Sequence, residues 1–339
     1  MFNHLFNKKK KKFYQIFELY LIKFIYIIYY MRILVTGGAG FIGVNLCEEL
    51  LQKNHYVICL DNISTGSKVN VTKLSKNPNF EFIFHDVIEP FIIYNIDQIY
   101  HLASPASPPL YQIDPIKTIK TNILGTLNIL DIAKKNNAKI LITSTSEIYG
   151  NPLINPQSEE YFGNVNTVGP RACYDESKRL CETLMYEYKR MYNLDTKIVR
   201  LFNTYGVNMK INDGRVVSNL INQALNNNEL TINGDGSQTR SFCYITDTID
   251  GLIKIMNSDL SGPINIGNTD EITINQLSNI ILKLTKSKSL IKFKNLPNDD
   301  PEMRRPDIKK ANKMLEWYPK VNITNGLKMT IEYFSKIQE

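Results

Sequence analysis

Arg32-Ile33-Leu34-Val35-Thr36-Gly37-Gly38-Ala39-Gly40-Phe41-Ile42-Gly43 decides how this chain is read. An apolar, β-branched run meets glycines at 37, 40 and 43, and a helical pattern follows. In such a turn the first glycine permits the bend, the second lets a pyrophosphate approach the backbone, and the third packs helix against strand. Phosphates then face a helix N-terminus, where free N–H groups and the dipole favour anions. Phe41 and Ile42 border the same candidate site. A second apolar run, Tyr56-Val57-Ile58-Cys59-Leu60, ends in Asp61. An acid there suits two ribose hydroxyls and repels a 2′-phosphate, so NAD fits better than NADP.

Outward from this motif, strand-like runs at 32–36, 56–61, 80–85, 98–102, 139–144, 197–201 and 263–266 alternate with other segments. Helical stretches between them include 41–53, 116–136 and 174–192. This alternation predicts an α/β, Rossmann-like, doubly wound parallel sheet covered on both faces. Ligands of such sheets bind beyond the carboxyl ends of the strands. His101, Thr145 and Asn203 each follow or close a strand there. Asn226-Asn227-Asn228 reads as a helix end or turn.

Tyr174 and Lys178 lie four residues apart on one predicted helix, so they share a face. A phenol has a free pKa of about 10 and is a poor base at neutral pH. A neighbouring ammonium favours the phenolate, so Lys178 is expected to lower the Tyr174 pKa. A hydroxyl such as Thr145, in Thr143-Ser144-Thr145-Ser146-Glu147, could hold the reacting oxygen. The trio suits removal of a proton from a sugar hydroxyl while hydride leaves its carbon. A tyrosine on a helix is by default a packing residue, and it is the glycine turn that lifts this pair above that default.

Composition bounds the remaining options. The 339 residues suffice for one large or two intimate domains, and 43% hydrophobic with 22% charged residues is ordinary for a globular enzyme. The net charge is +7, but residues 1–30 alone carry six lysines against one glutamate. The rest of the chain is close to neutral, which argues against nucleic-acid binding. Five scattered cysteines and four histidines match neither a disulfide framework nor a zinc site. A reducing compartment, the cytoplasm, is the expectation.

Lys8–Lys12 precede an apolar, aromatic run at 13–30. That order resembles a signal anchor, but the run is short and contains Gln15, Glu18 and Lys23. Three readings stay open: an extension or disordered tail ahead of Met31, a membrane anchor, and an amphipathic surface helix. Membrane attachment is expected only if 13–30 is a true anchor.

Over about 31–336 the chain resembles the extended short-chain dehydrogenase/reductases, and within them the UDP-glucuronate decarboxylase family. The stretches that carry the resemblance are Leu60-Asp61-Asn62, His85-Asp86-Val87, His101-Leu102-Ala103-Ser104-Pro105-Ala106-Ser107-Pro108 and Arg200-Leu201-Phe202-Asn203-Thr204-Tyr205-Gly206. Asp213-Gly214-Arg215-Val216-Val217, Gln238-Thr239-Arg240-Ser241-Phe242 and Arg304-Arg305-Pro306-Asp307 extend it. The resemblance implies NAD-dependent oxidation at C4 of UDP-glucuronate, loss of CO2 from the 4-keto acid, protonation at C5 and re-reduction at C4 to UDP-xylose. It implies Tyr174 as base and acid, Lys178 and Thr145 beside it, and Ser146, Glu147 and Arg304 at the carboxylate. Glu147 is expected to repel the sugar carboxylate or to position a water. Relatives with Asp-Glu in place of Ser146-Glu147 eliminate water, so Ser146 argues against a dehydratase.

The resemblance further assigns Gly37, Gly40, Phe41, Ile42, Gly43, Asp61, Asn62, Asp86, Val87, Leu102 and Ala103, with Tyr174 and Lys178, to the cofactor. Asn122, Asn203, Arg215, Arg240 and Arg304 are the substrate candidates, and no metal is expected. It divides the chain into an extension (1–30), an NAD-binding domain (31–205 and 241–268) and a smaller, discontinuous nucleotide-sugar-binding domain (206–240 and 269–339). A homodimer through the helices near 116–136 and 174–192 is also implied. Two alternatives remain: a 4-epimerase or 4,6-dehydratase of another nucleotide-sugar, and a non-catalytic NAD-binding module.

Overall fold

Ile33, Leu34 and Val35 are wholly buried because β1 (Arg32–Thr36) runs inside a sheet covered on both faces. The computed structural model describes residues 30–297, 301 and 303–338. The run read above as tail or anchor lies, apart from Tyr30, outside the described residues. Among the described residues, no helix is long and apolar enough to cross a membrane.

After β1 come α1 (Phe41–Gln52), β2 (Tyr56–Asp61), α2 (Lys68–Leu74), β3 (Phe80–Phe84), β4 (Gln98–His101), α3 (Pro108–Tyr111) and α4 (Pro115–Asn136). Next are β5 (Lys139–Thr145), a 3-10 turn (Ser146–Tyr149), α5 (Ala172–Tyr192), β6 (Thr196–Leu201), β7 (Thr204–Tyr205), α6 (Val216–Leu225), β8 (Leu230–Asn233), β9 (Thr239–Ser241) and β10 (Cys243–Tyr244). The chain ends with α7 (Ile245–Met256), β11 (Ile264–Ile266), β12 (Glu271–Thr273), α8 (Ile274–Thr285), β13 (Ile291–Lys294), β14 (Met303–Arg304), α9 (Lys309–Leu315) and α10 (Ile323–Gln338).

Seven strands form one sheet in the order β11-β6-β5-β4-β1-β2-β3, all neighbours parallel. These are the seven runs read from the sequence. Alternate residues feed opposite faces. Leu34, Ile58, Ile99, Ile140 and Ile142 pack with Ile129 and Leu130 of α4 and Met185 of α5. Ile33, Val35, Val57, Cys59 and Leu141 pack with Leu46 and Leu50 of α1 and Leu252 and Ile255 of α7. Burial on both faces is why these strands read as continuous apolar runs. Strand order reverses beside β1, where β2 leads one way and β4 the other, and a crevice opens at their carboxyl ends.

The helices start and stop where side chains satisfy their ends. Asp114 accepts the Lys117 N–H at 2.9 Å ahead of Pro115, and α4 ends on left-handed Asn137. The Asn226 run follows α6, with Asn227 at positive φ. Smaller sheets, β12-β9-β14 and β13-β8, carry α6, α8 and α10 on the far side of the crevice. Thr273 and Gln276 close a capping box on α8.

The glycine turn is the tightest joint. Gly37 has φ +71°, and a side chain on Gly43 would place its Cβ 2.2 Å from the Gly37 carbonyl oxygen. Gly43→Ala is therefore expected to destabilise the chain by about 1–3 kcal/mol, as overpacking does. Thermal unfolding checks this, and an unchanged midpoint would mean that helix and turn can separate without cost.

Candidate active site

The crevice holds a cavity of about 1010 Å³ at the carboxyl ends of the large sheet. Gly37, Ala39 and Gly40 of the glycine turn line it. The first N–H groups of α1 receive no side-chain cap from Gly40. A Cβ added to Gly40 would meet only the Gly37 oxygen, at 3.2 Å, and otherwise open space. Such a bare helix N-terminus with room before it fits a pyrophosphate. Phe41, Ile42 and Gly43 line the same wall.

At the end of β2, the Asp61 carboxylate accepts N–H bonds from Ala39 (3.0 Å) and Ile63 (2.6 Å). Burial raises its pKa, and these two bonds oppose the rise. Asp61 thus shapes the turn while its remaining lone pairs face the cavity. Asn62 donates to Asp86 at 3.1 Å, and Lys117 pairs with Asp86 at 2.6 Å. Burial pushes the Asp86 carboxyl up, but Lys117 and its other donors hold it below the ordinary value. Val87, Leu102 and Ala103 complete this wall. His101 does not line the cavity; its ring bonds Thr36 (2.7 Å) and Thr126 (3.2 Å) inside the fold. Burial first, then Lys178, lowers its pKa to about 3.

Thr145 closes β5, and Tyr174 stands in the first turn of α5 with Lys178 one turn on; all three line the cavity. The Lys178 Nζ donates to the Thr143 carbonyl at 3.0 Å and lies 5.9 Å from the centre of the Tyr174 ring. Tyr174 stacks on Tyr111 with ring centres 4.9 Å apart. Here one expectation fails. The Tyr174 pKa is raised, not lowered, by burial and then by the Glu147 charge; Thr145 pulls the other way. Lys178 is itself shifted down by burial. Its ammonium is turned to a backbone carbonyl, so a shared helix face does not convert into a phenolate.

A second expectation changes at Glu147. The sequence reading leaves it as a bare carboxylate that would repel another. In the structure it lies between two guanidinium groups, ion-paired to both Arg171 and Arg304. Burial pushes the carboxyl up, but Arg304 and Arg171 bring it down to about 2. Arg171 precedes α5, and Arg304 sits on β14, in register with Arg240 on β9. Gln157 fixes the Arg304 segment: its N–H donates to the Arg305 carbonyl (2.8 Å) and its side-chain oxygen accepts the Arg305 N–H (2.9 Å). Arg304 is 3% exposed, and its Nε and Nη2 have no hydrogen-bond partner among the described residues.

Ser146, Asn203, Arg215 and Arg240 also line the cavity. The buried Asn203 amide nitrogen has no partner among the described residues. Arg215 pairs with Asp213 at 3.1 Å, and Arg240 donates to the Thr239 carbonyl at 2.8 Å. Asn122 is the exception among the candidates. It does not line the cavity, is 1% exposed, and donates to Ser177 at 2.7 Å, joining α4 to α5. A residue so enclosed contacts helices, not a substrate. Among the described residues, no group of three or more His, Cys, Asp or Glu could hold a metal ion.

The sequence reading misses Arg171, Asp175, Tyr111 and Gln157. Arg171 and Asp175 flank Tyr174, and a buried carboxylate at Glu147 demands a cation. That demand is the one signal that could have pointed to Arg171.

The profile of the NAD dependent epimerase/dehydratase family matches residues 33–267. UDP-glucuronic acid decarboxylase 6 of Arabidopsis thaliana is 53% identical over 305 residues, 90% of this chain and 89% of that protein. UDP-glucuronic acid decarboxylase 1 of Danio rerio is 52% identical over 305 residues, 90% of this chain and 73% of that one. The solved UDP-glucuronic acid 4-epimerase of Bacillus cereus, in complex with UDP-glucuronic acid and NAD, superposes with a TM-score of 0.82 at 29% identity. It covers 91% of this chain and 100% of that one.

The Glu147 cluster yields a pH prediction. A carboxyl with a depressed folded pKa contributes stability above its unfolded pKa of about 4.3, and that contribution is lost as pH falls toward the folded value. The wild-type melting temperature should therefore drop between about pH 5 and pH 2 more steeply than that of Glu147→Gln. Parallel curves for the two chains would show that the ion cluster does not stabilise the fold.

Proposed function

The chain belongs to the NAD dependent epimerase/dehydratase family, and from this premise we infer that it decarboxylates UDP-glucuronate to UDP-xylose and CO2, with NAD as cofactor. The observation that carries the reading is Arg304: a buried guanidinium at the cavity wall with two N–H donors unmatched among the described residues. Its planar fork suits a sugar carboxylate.

We assign 31–205 with 241–268 to the cofactor and 206–240 with 269–339 to the nucleotide-sugar. NAD, when bound, brings a positive nicotinamide ring and takes up and returns the hydride of C4. Gly37, Gly40, Phe41, Ile42 and Gly43 would hold its pyrophosphate, Asp61 and Asn62 a ribose, Asp86 and Val87 the adenine, and Leu102 and Ala103 the inner wall. Lys178 would hold the nicotinamide ribose. Asn203, Arg215 and Arg240 would grip the uridine diphosphate.

Tyr174 then removes the C4 hydroxyl proton and later returns it, with Thr145 hydrogen-bonded to the same oxygen. Arg304 orients the carboxylate at C5. Ion pairing to Glu147 keeps Arg304 from holding that carboxylate too tightly. Strong ground-state binding of a charge that vanishes in the transition state would slow the step. With C4 a carbonyl, the C5–C6 bonding electrons flow into it and neutral CO2 departs. Ser146 stands beside Glu147 without adding a second acid.

Two further readings accompany this. Exposed Ile116 and Leu124 on α4 and Leu180 and Tyr186 on α5 support a homodimer through these packed helices. Five unpaired cysteines, four of them buried, support a cytoplasmic setting.

Full-length chain given UDP-glucuronate and catalytic NAD should release CO2 and UDP-xylose with no net NADH, followed by mass spectrometry and NMR. UDP-galacturonate as the product would overturn the reading. Tyr174→Phe should lower kcat by about 10²–10⁴-fold, with KM little changed; retained kcat would remove Tyr174 from the proton transfer.

A further inference from the structure

Decarboxylation consumes a proton that the C4 machinery does not supply. The carboxylate leaves as CO2, its bonding pair enters the C4 carbonyl, and the resulting enolate takes a proton at C5. Tyr174 takes one proton from the C4 hydroxyl and gives one back, so its cycle closes with none to spare. One proton per turnover must enter from water by another route.

Behind the Glu147–Arg171–Arg304 cluster lies a second cavity of about 230 Å³. These three residues line both cavities and form the wall between them. Asp175 lines only the second. It follows Tyr174 on α5, about 100° further round the helix, so the phenol faces the main cavity and the carboxyl the one behind. Asp175 is 5% exposed, and its Oδ1 has no hydrogen-bond partner among the described residues. Exposed Asn151, Asn164 and Asn166 also line this cavity, which gives it access to solvent. Water occupies about 30 Å³ per molecule in the liquid, so a polar space of this size accommodates a short water chain.

We propose that the second cavity is the proton inlet for C5 protonation, and that Asp175 stores the incoming proton and delivers it through water at the Glu147–Arg304 wall. Asp175 does not touch the substrate; it is a positioning residue for the proton. The groups facing it are Glu147 from the 3-10 turn, Arg171 ahead of α5, Arg304 from β14, Tyr111 from α3, and Cys173, Tyr174 and Glu176 on its own helix. Burial and then the Glu147 charge raise its pKa to about 8, against the pull of Arg171 and Arg304. Asp175 therefore carries a proton at neutral pH while Glu147 does not. After delivery, the Asp175 carboxylate is refilled from water, so each CO2 released consumes one solvent proton and no other reactant.

This proposal rests on the decarboxylase reading, and the test separates the two. Asp175→Asn keeps the shape and removes the acid. Val165→Phe leaves Asp175 in place and fills the second cavity, which Val165 lines. In both full-length variants, with UDP-glucuronate and NAD, CO2 release should continue while UDP-xylose formation slows by about tenfold or more. A UDP-4-keto-pentose and NADH should appear in its place, with KM nearly unchanged and a larger solvent isotope effect in D2O. Wild-type kcat should fall as pH rises through about 8, and Asp175→Asn should lose that limb. Wild-type protein that releases no CO2 sinks the decarboxylase reading and this proposal together. If wild type releases CO2, the proposal alone is overturned by either of two results. One is an Asp175→Asn chain with wild-type kcat, products and pH limb; the other is both variants losing CO2 and UDP-xylose in equal proportion without keto sugar.

Discussion

A half-buried carboxylate between two buried guanidinium groups sets the geometry of this site. Desolvating an ion costs several kcal/mol, and only well-placed partners offset that cost. Glu147 is fixed by the 3-10 turn after β5, Arg171 by the start of α5, and Arg304 by β14 on the smaller sheet. One charge cluster thus ties the large sheet, the helix that carries Tyr174 and the far wall of the cavity. Removing Glu147 would leave the Arg171 and Arg304 guanidinium groups facing each other without the carboxylate between them.

The same cluster governs the phenol. Burial of Tyr174 and the nearby Glu147 charge both raise its pKa. Lys178, facing the Thr143 carbonyl, does not reverse this. The protein alone therefore keeps the phenol protonated, and the charge that would favour its anion has to come from outside the chain. A positive nicotinamide ring would be such a charge, and in the proposed mechanism it would link the C4 proton transfer to cofactor occupancy.

Much of this was legible in the residues, for physical reasons. Strands buried on both faces, such as β1 and β2, leave apolar runs that could be read off, and the half-buried edge strand β3 was legible from its aromatic and β-branched residues. Gly37 and Gly43 are visible because a side chain at either would collide with backbone, and Gly40 because it leaves the space before the helix open. Most candidate side chains line one cavity because strand ends converge at the sheet's reversal point. What escaped the reading depends on tertiary placement. Arg171 and Arg304 meet Glu147 across long sequence separations, and no spacing rule links them. Asn122 looks like its neighbours in sequence, yet its helix turns it toward Ser177. The direction of the Tyr174 shift could not be read because burial outweighs a local i,i+4 contact.

Three acidic groups share this small volume, and their surroundings shift them to different extents and in different directions. Glu147 is held well below the ordinary carboxylate range by two arginines. Tyr174 keeps its proton through burial and a neighbouring negative charge. Asp175 feels the same negative charge and the same arginines, but without a direct ion pair among the described residues, and is pushed up to about 8. Groups whose environments push their pKa values apart divide acid, base and electrostatic roles among themselves. A reaction that must remove a proton at C4, lose a charged group at C5 and then accept a proton there needs such a division. If all three carboxyl and phenol groups titrated together, the C4 base and the C5 acid could not coexist at one pH. Glu147 raises both Tyr174 and Asp175, while Arg304 and Arg171 hold its own carboxyl low, and that contrast separates the ionised group from its two neighbours.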